Sequence, residues 1–482
     1  MRNIFLLKMI LLFGINVFSQ NNVINNYEIK VKIKNTENDT LYLANYLGKK
    51  LYYFDTAYAD NKGITTFKGT KIPAGIYAVV TKGPKYFEIV VNEPKIELET
   101  STDDFTSNMV IKNSPENKVF YEFITYVVNK RKEAQPLSEK LKDTTLSQTE
   151  KDNIYNQLKK IDEDVAAFQK AFDKKYPSNY FSATLLSLNF EMEIPEEIDS
   201  TKRYHYYKTH FFDRIDFNDD RFVRSPAFHN KLEKYFNQVL PQIPDTIVAE
   251  AKKIINNIKD EKSDTWKYVV HYITNSYEQS KIMGMDKVLV FMAQTYYCST
   301  TPSKAYWMPE DKLKELCEKT AIGQHLLIGE KAPNLILQDT SESQWINLHE
   351  AAKTKWTIVI FYDPNCGHCK KEIPVFNEFY KKYKDTYNLT IVGVNTELEN
   401  KDWKKYIREQ QLDGWIHISD NPEIHNHPEK YLNKTTIESL NFRRTYDIFS
   451  TPQVYILDEN KIIKAKKIGA EQLEDLFEKL DR

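Results

Sequence analysis

The run Phe361-Tyr362-Asp363-Pro364-Asn365-Cys366-Gly367-His368-Cys369-Lys370-Lys371-Glu372-Ile373-Pro374 constrains this chain more than any other. Two cysteines in a C-x-x-C spacing can close a small disulfide across the first turn of a helix. The earlier one then meets unpaired N–H groups and the positive end of the helix dipole, which favour a thiolate. Such a pair is suited to disulfide exchange. The same spacing also serves as half of a zinc site, but structural zinc needs four ligands, and Cys298 and Cys317 are too far apart in sequence to supply a second pair. The surroundings favour redox chemistry as well. Trp356 to Tyr362 is a continuous apolar run that reads as a buried parallel strand, and a helical stretch follows the cysteines to about Lys384.

Residues well outside the pair carry a family resemblance. Leu389 to Asn395 reads as a strand, Lys401 to Gln411 as a helix, Gln453 to Leu457 and Lys461 to Lys467 as strands, and Glu471 to Leu480 as a last helix. The order is β-α-β-α-β-β-α. In this frame the segment resembles the thioredoxins: Pro374 matches the proline that kinks their active-site helix, and Ser450-Thr451-Pro452 matches their X-cis-Pro loop beside the disulfide. The opening Ile328-Gly329-Glu330-Lys331-Ala332-Pro333-Asn334 resembles that of TlpA/ResA-like extracytoplasmic thioredoxins and of peroxiredoxins. A peroxidatic cysteine sits in P-x-x-x-T-x-x-C, and here Asp363 stands where Thr is wanted and Val359 where Pro is wanted. The peroxidase branch is disfavoured. The resemblance covers residues 326–482 and implies an α/β thioredoxin-like domain.

Cys366, at the helix start, is the expected nucleophile: its thiolate attacks a substrate disulfide, and Cys369 resolves the mixed disulfide. His368 between them is expected to stabilise the Cys366 thiolate by charge or hydrogen bonding. The tetrad Cys366-Gly367-His368-Cys369 looks like that of protein disulfide isomerases. Two positions depart from the thioredoxin pattern. Asn365 replaces the usual tryptophan, and Ile360 stands where thioredoxins bury an aspartate that helps deprotonate the resolving thiol. Asp363, Glu372 and Glu397 lie nearby in sequence but read as ordinary surface carboxylates. The resemblance implies a cis peptide before Pro452, leaving the backbone of Thr451 to pair with an extended substrate and keeping metals off the cysteines. His417, His425 and His427 have no metal-site spacing and read as a polar surface loop. Cys298 and Cys317 are either a structural disulfide or two separate thiols.

Length suggests about three domains. Residues 22–112 hold short alternating runs, such as Tyr27, Ile29, Val31 and Ile33, broken by Gly48, Gly63, Pro73-Ala74-Gly75, Gly83-Pro84 and Pro94; they read as an all-β sandwich or open barrel. This resembles the β domain that precedes the thioredoxin domain in TlpA-like proteins. Residues 114–325 read as an all-α domain opened by the cap Ser114-Pro115. Within it Ile154, Leu158, Ile161, Val165, Phe168 and Phe172 form a seam suited to a helical hairpin or, alternatively, a coiled-coil dimer. Lys and Arg total 67 against 68 Asp and Glu, which leaves no basic excess for nucleic acid. Residues 1–19 read as a signal peptide: Met1-Arg2-Asn3 and Lys8 supply positive charge, Met9 to Phe18 is apolar but short of the roughly twenty residues that span a bilayer, and Val17-Phe18-Ser19 precedes a cleavage point. An uncleaved anchor reaching back to Ile4 is the alternative.

These readings converge on an exported, periplasmic or secreted thiol-disulfide oxidoreductase acting on protein thiols or disulfides with a redox partner protein. No cofactor, metal or stable membrane span is expected. The opening segment favours a reductase, His368 an oxidase or isomerase, so the direction of exchange stays open. The competing class is a partner-binding protein using the last domain as a scaffold.

Overall fold

A computed structural model describes residues 22–83, 85–176 and 179–481. The expected signal peptide, residues 1–19, lies outside the described residues. The chain divides into two compact units: residues up to Gln242 with Glu250–Val269, and Ile243–Ala249 with Val270 onward. Among the described residues no helix is long and apolar enough to cross a membrane.

The first unit begins with strands β1 (Val23–Lys34), β2 (Thr40–Leu47), β3 (Lys50–Tyr58), β4 (Ile64–Pro73), β5 (Gly75–Val80), β6 (Tyr86–Val91), β7 (Lys95–Ser101) and β8 (Val110–Asn113). They form two four-stranded sheets, ordered β4-β1-β7-β8 and β3-β2-β5-β6. The period of two in β1 does what it must: Tyr27, Ile29, Val31 and Ile33 are buried and Glu28 is exposed. Leu41, Leu43, Tyr77, Val79, Ile89 and Val91 of the other sheet complete the same hydrophobic cluster. Asp60 turns the chain into β4, its carboxylate accepting from the amides of Lys62 (2.8 Å) and Ile64 (2.9 Å). Gly63 in that turn has φ +70°, and a Cβ there would lie 2.2 Å from the Ile33 carbonyl. β8 is invisible in the sequence because only Ile111 in it is even half-buried.

Helices α1 (Pro115–Lys140) and α2 (Gln148–Lys175) follow. Ser114 caps α1 by accepting from the Asn117 amide, and Pro115 takes a first-turn position where no N–H is needed. A capping box of Ser147 and Glu150 starts α2. The α2 seam packs within the chain: the Phe168 and Tyr126 rings stack at 3.8 Å, and Phe172 lies 5.1 Å from Phe123, both partners on α1. It serves a hairpin. Asn117 joins α1 to the sheets. Fully buried, it donates to the Val90 carbonyl (2.8 Å) and accepts from the Val90 amide (2.9 Å). Its neighbour Glu116, also buried, accepts from the amides of Phe181 (3.0 Å) and Ser182 (2.9 Å), where α3 (Phe181–Ser187) begins. Then come α4 (Ser200–His210), α5 (Pro226–Lys234), α6 (Pro244–Asn256), α7 (Asp264–Glu278), α8 (Asp286–Met292) and α9 (Glu310–Gly323).

In the second unit Cys298 and Cys317 are joined as a disulfide, the first of the two arrangements the sequence allowed. A hairpin of β9 (Ile336–Gln338) and β10 (Trp345–Asn347) and the short α10 (Leu348–Ala351) precede β11 (Trp356–Tyr362), α11 (Gly367–Tyr383), β12 (Leu389–Asn395), α12 (Asn400–Glu409) and β13 (Ile416–Ile418). Short helices α13 (Pro422–Asn426), α14 (Ile437–Leu440) and α15 (Phe442–Thr445) lead to β14 (Gln453–Leu457), β15 (Ile463–Lys466) and α16 (Leu473–Leu480). The sheet order is β13-β12-β11-β14-β15, with β11 parallel to β12 and antiparallel to β14. Every residue of β11 is buried. Ile358, Ile360 and Tyr362 enter one cluster with Ile373, Phe376, Trp403, Tyr406, Leu473 and Phe477; Val359 and Phe361 enter the other with Leu348, Phe442 and Tyr446. The apolar run of β11 is continuous because both faces are covered. The thioredoxin-like fold expected at the C-terminus is present, with two corrections to the element order: β9, β10 and α10 precede β11, and β13 and α13 to α15 stand between α12 and β14. Strands of three residues carry too little pattern to read.

Asn117→Ala would leave both main-chain groups of Val90 buried without their partner. Urea unfolding of the first unit should lose on the order of 2 kcal/mol, and a loss below about 0.5 kcal/mol would show that Asn117 is not the joint described.

Candidate functional site

The reactive end of the second unit is the turn from β11 into α11. Asp363 holds that turn: its carboxylate accepts from the Asn365 amide (2.6 Å) and its carbonyl from the Cys366 amide (3.2 Å). Cys366 is the N-cap of α11, and its carbonyl accepts from the Lys370 amide (3.0 Å). Both thiols of the pair are unbonded. Cys366 is half-buried and Cys369 fully buried. The Thr451–Pro452 peptide is cis, and the Cys366 thiol lies 3.3 Å from the Thr451 carbonyl, to which it donates. The geometry therefore brings together Cys366, Cys369 and Thr451, residues 85 apart in sequence at their extremes. Pro374 sits inside α11, the position the resemblance requires.

The two sulfurs are pushed in opposite directions. Hydrogen bonding from the Thr451 side chain, the amide of Cys369 and, more weakly, the amide of His368 holds Cys366 below the usual thiol value. The Thr451 carbonyl opposes this by accepting from the protonated thiol, so Thr451 has a polar group for each state of the sulfur. Cys369 is pushed up to about 12, first by burial and further by its neighbour Cys366. At neutral pH Cys369 holds its proton while Cys366 is the easier thiolate. Of the two sulfurs the outer one is the more readily ionised.

At His368 the hydrogen bond to Cys366 comes from the main chain and not from the side chain. The side chain is exposed, and among the described residues the imidazole has no hydrogen-bond partner; it is the His368 main-chain amide that favours the Cys366 thiolate. The nearby carboxylates are also occupied elsewhere. Glu372 accepts from the Ala470 amide (2.9 Å), Glu397 is exposed, and Asp363 serves the turn. His425 and His427 lie near Asp420 (3.7 Å) and Glu429 (3.6 Å) and are exposed, as a polar loop requires. His417 corrects that reading: it is buried on β13, opposite Gly393 of β12, and one ring nitrogen meets the Leu412 carbonyl at 2.9 Å.

Sequence reasoning missed the surroundings of Cys369. Tyr362, Trp403 and Tyr406 share its cluster; the Trp403 indole donates to the Tyr362 hydroxyl (2.9 Å), and the Tyr406 hydroxyl donates to the Cys369 carbonyl (3.4 Å). Burial first, then the charges on Cys369 and Cys366, push the Tyr406 hydroxyl up to about 12. Ile360, in place of a buried acid, is fully enclosed in the same cluster. The one available signal was the spacing of Trp403 and Tyr406, which puts both on one face of α12.

Residues 328–466 match the AhpC/TSA family, residues 145–318 a domain of unknown function (DUF5106), and residues 27–120 another (DUF4369). The thiol-disulfide oxidoreductase ResA of Bacillus cereus is 23% identical over 197 residues, which is 40% of this chain and 94% of ResA. A protein disulfide-isomerase of Gallus gallus is 33% identical over 98 residues, 18% of each chain. A solved domain of a possible thiol-disulfide isomerase from Cytophaga hutchinsonii is 33% identical and covers 32% of this chain and 93% of that one, with a TM-score of 0.27. The C-terminal third is a thioredoxin-like domain of the AhpC/TSA family, related to ResA-type thiol-disulfide oxidoreductases, and the enzyme activity these relatives support is thiol-disulfide exchange.

Alkylation of the reduced protein by iodoacetamide should rise with pH through a midpoint below the ordinary thiol value of about 8.5. Thr451→Val removes the hydroxyl and should move that midpoint up, lowering the rate at neutral pH; His368→Ala keeps the amide and should move it less. A wild-type midpoint at or above the ordinary value contradicts the assignment.

Proposed function

We propose that the protein is an exported thiol-disulfide oxidoreductase that exchanges disulfides with other proteins through Cys366 and Cys369. The observation that carries this reading is the asymmetry of the pair: a half-buried sulfur at a helix N-cap, held toward its thiolate, beside a buried sulfur held toward its thiol. In the reductive direction the Cys366 thiolate attacks a substrate sulfur, the new S–S bond forms, and the departing substrate thiolate takes the electron pair and a proton from solvent. Cys369 gives up its proton and attacks the Cys366 sulfur; the internal disulfide forms and the second substrate thiol leaves. The pair has then lost two electrons, which a redox partner protein returns. The reverse sequence oxidises a dithiol.

Thr451 and Pro452 form the surface against which substrate lies, Pro374 shapes α11, and the His368 main-chain amide assists Cys366. Residues 1–19 direct export, followed by a β domain (22–112), a helical domain (114–325) and the thioredoxin-like domain (326–482). The disulfide between Cys298 and Cys317 supports an oxidising compartment, where such bonds persist. The charged start and short apolar run of the leader support the same location.

Cys369→Ser, expressed with its leader, should accumulate mixed disulfides with other proteins through Cys366, and Cys366→Ser should not. The reduction potential of the wild-type pair then assigns the direction: near −270 mV, as in thioredoxin, for a reductase, or near −180 mV, as in protein disulfide isomerase, for an oxidant, both approximately. If no protein is trapped and the wild type reduces no disulfide, the domain is a binding scaffold instead.

A further inference from the structure

A cleft of about 1240 Å³ opens in the first unit, lined by α2, the irregular segment after α3, the end of α4 and α5. Lys231 of α5 is part of its lining. The ammonium donates to the Leu188 carbonyl (3.1 Å) and lies 4.3 Å from the centre of the Phe211 ring. Neither partner carries a negative charge, and the carbonyl takes only one of three N–H donors. Among the described residues no carboxylate pairs with Lys231. Those inside the cleft hold other cations: Asp173 accepts from Arg214 (2.5 and 2.8 Å), Glu193 lies 2.5 Å from Lys170, and Asp213 lies 2.6 Å from His210. Glu191 and Glu196 are exposed on the irregular segment. Lys231 itself is half-buried, and a cation withdrawn from water without an anion is costly. Burial first, then the cations Lys234 of the same helix and Arg214 after α4, push its ammonium down to about 8. Beside this charge the lining is apolar, with Phe190, Met192, Ile194 and Tyr206 each half-buried.

We propose that this cleft binds organic carboxylates, the anionic group pairing with the Lys231 ammonium and an apolar body lying along Phe190, Met192, Ile194 and Tyr206. One unneutralised ammonium balances one charge, because Arg214 is already held by Asp173, so a monoanion fits and a phosphate dianion would be left half balanced. A free carboxylic acid and the C-terminus of a peptide present the same chemistry, and the cleft has room for either. Pairing with a carboxylate raises the Lys231 ammonium again. Near pH 8, where part of it is neutral in the empty cleft, binding therefore takes up a proton.

The test is titration calorimetry on the full-length protein with 3-phenylpropionate, its uncharged amide and acetate, and with N-acetyl-Gly-Gly-Phe as the free acid and as the amide. The wild type should bind 3-phenylpropionate on the order of tenfold more tightly than its amide or acetate. Heats measured at pH 8 in buffers of different ionisation enthalpy should report uptake of roughly half a proton per ligand. Lys231→Met should bring the acid down to the affinity of the amide and abolish the uptake. Lys231→Arg, charged at every pH used, should keep most of the affinity and still lose the uptake, which a merely structural lysine would not do. If Lys231→Met does not fold, the arginine variant and the wild-type uptake decide. Tighter binding of the peptide acid than of 3-phenylpropionate supports the proposal with a chain terminus as ligand, and the reverse order supports it with a free acid. Equal affinity of the wild type for acid and amide, no proton uptake, or an acid affinity that survives Lys231→Met would overturn it.

Discussion

The burial of β11 on both faces is the constraint on which the rest of the second unit depends. One set of its side chains packs on α11, α12 and α16, the alternate set on α10 and the short helices before β14. A strand held this way cannot shift by one residue without exchanging the two sets, so the point where it ends is fixed. It ends at Tyr362, and the cysteines begin four residues later at a helix start that the same cluster seats. Apolar packing sets where the reactive sulfur stands, and the contacts with Asp363 and Thr451 hold it there.

That dependence explains what was legible in the sequence and what was not. Trp356 to Tyr362, Leu389 to Asn395 and Gln453 to Leu457 could be read to the residue because burial on both faces leaves runs dominated by apolar residues with no alternation. β13 could not, being three residues long, and its His417 looked like part of a surface loop until the sheet enclosed it. The pair itself, the cis peptide at Pro452 and Pro374 were all recognisable from motif and spacing. The surroundings of Cys369 were not, since Tyr362, Trp403 and Tyr406 come from a strand and a helix whose approach no local pattern announces. The chemical role assigned to His368 followed from residue type. In the structure the imidazole is exposed and the hydrogen bond to Cys366 comes from the His368 main chain.

The site also shows how a dry environment sorts two identical groups. Cys366 and Cys369 differ by one turn of helix, yet one sulfur sees main-chain amides and the other sees aromatic rings. Without an acid at position 360, the inner thiol lies among aromatic and aliphatic side chains, and hydrogen bonding from the Asp363 main chain and the Thr451 side chain only partly offsets its burial. Proton loss from Cys369 is opposed by the charge on the Cys366 thiolate, and that opposition ends when Cys366 is bonded to another sulfur. Formation of the mixed disulfide itself makes the second step easier.

The bond between Cys298 and Cys317 gives the chain an internal reference for electrons. It stands in the same compact unit as the open pair and encloses a loop of its own sequence. A thiol count on denatured protein that has met no reductant therefore gives at most two while the bridge is intact, and four marks a preparation that has lost it.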